Sequence, residues 1–255
     1  SKAGKSFALI ELAICIAEGL PWMGFKCAQG KVMYVNLELD RASCLHRFRD
    51  VRQAMGAPSQ HGVSIWNLRG MNVDMESLAR AMVARYRKEG YIVVIVDPIY
   101  KVMRANENSA YETAQFCNLL DKVCMEMNCS VVYCHHHSKG DQSWKKSMDR
   151  ASGSGVFARD ADAILDVIEL ELPPDARDAG RTAWRLSGTL REFQSFPPVD
   201  MWFDHPLHRL AEFNRDEVAP HHELPSWRRA MYARKPKELK HKERITKIMA
   251  AYAMC

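Results

Sequence analysis

The chain of 255 residues is 47% hydrophobic and 26% charged, proportions that fit one full α/β domain with something smaller attached. Its apolar runs exclude a membrane-spanning role, because Tyr91 to Val96 is far too short to cross a bilayer and Phe7 to Leu20 is interrupted by Glu11 and Glu18. The net charge of +5 is mild, and eight cysteines without a C-x-x-C pair read as reduced core thiols of a cytoplasmic protein, not as a disulfide framework.

Ser1-Lys2-Ala3-Gly4-Lys5-Ser6 has the form of the end of a phosphate-binding loop, G-x-x-x-x-G-K-[S/T]. The opening Gly of that motif and the strand expected before it are missing, and position 1 is not Met, so the chain reads as a fragment that starts inside the motif. Such a loop turns consecutive backbone N–H groups toward phosphates, and the helix behind it adds its positive end. Ala3, Gly4, Lys5 and Ser6 are therefore the expected nucleotide-binding residues, with Lys5 reaching the β/γ-phosphates and Ser6 ligating Mg²⁺. A chance A-G-K-S at a helix start is the plain alternative. Three later stretches, at Glu38, Asp97 and His135-His136, favour the nucleotide reading because they fall where such a site needs them.

Ser6 to Glu18 carries apolar residues at helical spacing and stops at Gly19. Lys31 to Leu37 is β-rich and reads as a buried strand, with Glu38 at its end, where an open α/β sheet lines its ligand crevice. Arg41 to Met55 is an amphipathic helix, Val63 to Leu68 a strand, and Asp74 caps the next helix, which ends at Gly90. Tyr91 to Asp97 is an unalternating β-branched run, the mark of a strand buried on both faces of a parallel sheet. Asp97, which terminates it, stands where P-loop nucleotidases hold Mg²⁺; the alternative is an acid that merely caps the turn before Pro98.

Ser109-Ala110-Tyr111-Glu112 is a capping box opening a long helix, and Ser130 to Cys134 is the next strand. His135-His136-His137 leave that strand's end. Neighbouring residues of an extended chain point to alternate faces, so the three histidines suit a report on the terminal phosphate better than one zinc shell. Ser138 to Ser154, with Lys139, Lys145, Lys146, Arg150 and Trp144, reads either as a loop gripping single-stranded nucleic acid or as a solvated basic loop. A short helix over 155–161 and a strand over 163–170 follow, and then short strands over 182–193, 199–203 and 209–213 extend the sheet as a meander. Residues 214–239 read as a basic linker and 240–255 as the start of a separate helical module, leaving 1–213 as the core.

Taken in order, S-K-A-G-K-S-F, P-W-M-G-F with G-K-V-M-Y-V-N-L-E, V-V-I-V-D-P, H-H-H-S-K-G and S-G-S-G-V-F-A-R-D-A-D-A resemble the RepA-like branch of the RecA/DnaB P-loop ATPases. That branch holds the plasmid- and phage-type hexameric replicative helicases and their AAA-labelled relatives. The resemblance implies a RecA-like α/β core whose largely parallel sheet is extended by antiparallel strands at its C-terminal side. It further implies ATP and Mg²⁺ as cofactors, single-stranded DNA as partner, a homo-oligomeric, hexameric ring, and no membrane association. By the same resemblance Glu38 polarises the attacking water, Asp97 supports the metal, and His136, with His135 as the alternative, senses the γ-phosphate. Arg191 matches the family's arginine finger, offered to a neighbouring subunit. Two readings from other classes compete with the DNA motor: a small-molecule kinase, and a replication scaffold that uses ATP only to assemble.

Overall fold

Four β-branched runs build the first sheet: β1 (Lys31–Asn36), β2 (Val63–Asn67), β3 (Tyr91–Asp97) and β4 (Ser130–Tyr133). They lie in the order β2-β1-β3-β4, and every pairing is parallel. The computed structural model describes residues 4–57, 62–103, 109–135, 156–176, 180–221 and 223–232. Successive strand residues face opposite ways, so two helical layers are needed. Val32, Tyr34, Val93 and Ile95 pack against α1 (Lys5–Glu18) and α2 (Arg41–Met55) through Ile10, Ile14, Cys44 and Phe48. Met33, Val35, Val94 and Val96 pack against α3 (Met75–Tyr86) and α4 (Ala110–Met127) through Leu78, Met82, Phe116 and Val123.

Asp74 and Ser109 cap the helices that the sequence assigned to them, and Asp40 adds a cap that it did not flag. Asp40 caps α2 by accepting from the Ser43 N–H at 2.9 Å, and Asp74 caps α3 by accepting from the Ser77 N–H at 2.8 Å. The capping box is longer, with Ser109 accepting from the Glu112 N–H at 3.4 Å.

Beyond the short helix α5 (Val156–Asp160) the chain forms β5 (Ala163–Glu171), β6 (Thr182–Leu190), β7 (Val199–Asp204), β8 (Leu207–Leu210) and β9 (Ala219–Pro220). These run antiparallel in the order β8-β7-β6-β5-β9. The expected antiparallel strands are present, but among the described residues they share no ladder with β4 and form a sheet of their own. Helix α1 joins the two sheets. While one side of α1 serves the parallel sheet, Ala8 and Cys15 on another pack with Trp22, Trp184, Leu186 and Met201. Glu11, buried in the same helix, accepts from the His208 backbone N–H at 3.2 Å and meets its Nδ1 at 2.6 Å.

Two expectations shift. The last strand lies over 207–210 instead of 209–213, because Asp204 pairs directly with Leu207 and the chain reverses within two residues, burying Leu207 beneath α1 and α2. Within the segment expected as a linker, β9 pairs with β5, and Val218 packs with Leu170, Leu172 and Ala183 on the sheet's outer face. A short helix α6 (Ser226–Met231) follows, with Leu224 and Tyr232 buried on either side of it. The apolar residues between the prolines explain this packing. The helix expected over 240–254 lies outside the described residues.

Candidate active site

The expected phosphate loop ends in a backbone shape that demands glycine. Gly4 is the N-cap of α1 in the left-handed region, at φ 60°, and an added Cβ would sit 2.8 Å from the Phe203 ring. Lys5 and Ser6 follow as the first two residues of the helix. Among the described residues no side chain caps that end, and no acid lies in the helix's first turn, so its positive dipole favours an anion there. Ala3 lies outside the described residues.

Glu38 stands exposed just past β1, on a turn braced from below. The buried Asn36 side chain accepts from the Leu39 N–H at 3.0 Å and donates to the Leu39 carbonyl at 2.7 Å and to Asn67 Oδ1 at 2.8 Å. This network closes the Leu37–Leu39 turn and ties it to β2. The Leu37 N–H donates to the Asp97 carbonyl at 2.9 Å, so the ends of β1 and β3 are held at one level.

Asp97 is 6% exposed. The Tyr34 hydroxyl donates to its Oδ2 at 2.6 Å. Burial first, and then the Asp97 carboxylate, push the Tyr34 phenol well above its ordinary value, so it remains a donor. At the end of β4, the Cys134 N–H donates to the Val96 carbonyl at 3.1 Å, and its carbonyl accepts from the Ile99 N–H at 3.1 Å.

The Cys134 thiol reports how these elements converge. Burial pushes it up to about 11; the Asp97 and Glu38 carboxylates push in the same direction and the Lys5 ammonium opposes them. The Leu37–Asp97, Cys134–Val96 and Ile99–Cys134 backbone hydrogen bonds hold the ends of β1, β3 and β4 together, with Asp97 ending β3 and Glu38 just past β1. This is the carboxyl-terminal edge of a parallel sheet, where such sheets bind ligands. Among the described residues no three His, Cys, Asp or Glu side chains gather to hold a metal ion. A hydroxyl and a single buried carboxylate are hard oxygen donors, and they suit Mg²⁺, which takes few protein ligands and completes its shell with phosphate and water.

His136 and the basic loop over 138–154 lie outside the described residues. His135 is described, half-buried, with its ring 5.4 Å from that of Phe157 in α5. Arg191 is engaged within its own chain. Its guanidinium donates to Asp162 Oδ1 at 3.1 Å, to the Asp160 carbonyl at 2.7 Å and to the Arg159 carbonyl, clasping the end of α5 to the end of β6. None of these partners is Lys5, Glu38 or Asp97.

Sequence reasoning passed over Tyr34, Asn36 and Cys134. The available signal was a polar tip, or an amide, inside a strand otherwise built of valine and methionine, since a buried phenol or amide must find a partner.

A family model described as an AAA domain matches residues 1–142, more than half of the chain. No curated protein matches the chain. The chain thus belongs to the AAA-domain family of P-loop ATPases, whose members generally use ATP and Mg²⁺.

Proposed function

We propose that this AAA-domain P-loop ATPase hydrolyses Mg²⁺–ATP at the ends of β1, β3 and β4. The turnover serves binding or translocation of single-stranded DNA, in a RepA-like replicative helicase or helicase-like replication protein. The observation that carries the reading is the backbone hydrogen bonding that holds the ends of β1, β3 and β4 at one sheet edge, with Asp97 ending β3 and Glu38 just past β1, together with the Gly4-led start of α1 that carries Lys5 and Ser6. Lys5 and the first N–H groups of α1 hold the phosphates. Ser6 and Asp97 would hold Mg²⁺, which would supply charge neutralisation at the terminal phosphates. Glu38, exposed on its braced turn, orients the attacking water, and the His136 position follows the loss of the γ-phosphate.

Support for the DNA reading comes from the composition of residues 138–154, where Lys139, Lys145, Lys146 and Arg150 flank Trp144 in the sequence, and from the order of the motifs. Assembly enters through Arg191. To reach a neighbour's nucleotide it must leave Asp162 and the α5 carbonyls, so hydrolysis in a homo-oligomeric ring depends on the subunit contact.

The test is steady-state ATP hydrolysis with and without single-stranded DNA, on the protein with any sequence that natively precedes Ser1 retained, beside Glu38→Gln. DNA stimulates the wild type, and E38Q binds ATP normally while turnover falls by roughly 10²-fold or more. Turnover indifferent to DNA overturns the motor. Phosphoryl transfer to a small acceptor identifies a kinase, and an E38Q variant that retains the protein's DNA function identifies a scaffold.

A further inference from the structure

Tyr34 occupies the middle of a strand whose other buried positions are valine, methionine and, at its end, Asn36, and its ring is walled by Phe48 at 5.0 Å in an edge-to-face contact. Phenylalanine would fill that space equally well. The hydroxyl is what the core does not need, and it is spent on the Asp97 carboxylate of the neighbouring strand at 2.6 Å. Tyr34 is 1% exposed and Asp97 6%, so water does not replace this donor. A carboxylate at a strand end turns easily about its last torsion. One fixed donor on Oδ2 stops that rotation and leaves Oδ1 for an incoming ligand.

We propose that Tyr34 is a positioning residue for the metal-supporting carboxylate: it holds Asp97 in the orientation that receives Mg²⁺ with the nucleotide. The proposal rests on the assignment of Asp97 to the Mg²⁺–ATP site made above. It requires no proton transfer, because the phenol donates and the carboxylate accepts throughout. Asn36 braces the turn carrying Glu38, and Tyr34 two residues earlier braces Asp97, so a single strand sets both acids of the site.

The experiment is equilibrium binding of a fluorescent, non-hydrolysable ATP analogue, titrated with Mg²⁺, to the wild type, Tyr34→Phe, Asp97→Asn and the double variant. Phe48→Leu serves as a control that disturbs the same core without touching the hydrogen bond. In Y34F the Mg²⁺ concentration for half-maximal binding rises at least fivefold while binding in EDTA is unchanged. F48L keeps the wild-type Mg²⁺ dependence, and Y34F adds nothing once Asp97 is Asn. Wild-type Mg²⁺ dependence in Y34F overturns this proposal alone, as does an equal shift in F48L, which would mark a merely structural effect. A wild type that binds the analogue without any Mg²⁺ dependence overturns both the proposal and the function on which it rests.

Discussion

In the parallel sheet the two acids of the candidate site, Glu38 and Asp97, stand at or just past strand ends, whereas the antiparallel sheet buries Arg185 and Asp200 within its strands and pairs them with each other. Glu38 follows β1 and Asp97 ends β3, and the Leu37 N–H on the Asp97 carbonyl holds those two ends level. Arg185 and Asp200 sit opposite each other on β6 and β7, joined by two hydrogen bonds of 2.7 and 3.0 Å, with Glu223 3.5 Å from the guanidinium. Position along the strand separates the two roles. Mid-strand charge can be answered only by a neighbouring strand or covering segment and becomes architecture, while end-of-strand charge stands at the sheet's edge, where a ligand can reach it.

That division is broken first at Arg185. Replacing it with Leu leaves Asp200 buried without its partner, and we expect a loss of about 3–5 kcal/mol in stability. The urea midpoint checks this, and nucleotide affinity of the folded fraction stays at the wild-type value. Asn36→Ala probes the seam between the two roles, for Asn36 is internally satisfied yet supports Glu38. It strands the Leu39 backbone groups and Asn67, costing roughly 1–3 kcal/mol. Because the turn then loosens beneath Glu38, kcat falls about tenfold in steady-state assays, more than KM changes.

The smallest effect lies on the exposed α2 cap. The Ser43 side chain and N–H hold the Asp40 carboxyl below its ordinary value. A depressed carboxylate stabilises the fold above its unfolded pKa, and that contribution is lost as pH falls through the lower, folded value. Asp40→Asn keeps a capping oxygen and removes the titration. Thermal melts across the acid range should show a slightly shallower loss of Tm for the variant than for the wild type, with no difference near neutrality.

The parallel strands and α1 to α4 were legible because each signal was local. Continuous β-branched runs marked strands buried on both faces, and Asp74 and Ser109 marked helix starts. Lys5, Glu38 and Asp97 were legible as end positions of those elements. Tyr34 and Asn36 were not, because what makes them matter is a partner 63 or 31 residues away in the chain. Arg191 was read as a finger for a neighbour, and no sequence signal revealed its clasp on Asp162 and the α5 carbonyls.

By itself the sequence determined the element types, their order and which acids would end strands, since these follow from periodicity, caps and breakers within a few residues. Only the tertiary structure decided that the antiparallel strands form a second sheet bound through α1, that residues 218–220 join it, and that the Tyr34 phenol donates to Asp97. Those outcomes depend on which distant surfaces meet. Burial and hydrogen-bond satisfaction are properties of the packed pair, and neither partner encodes them alone.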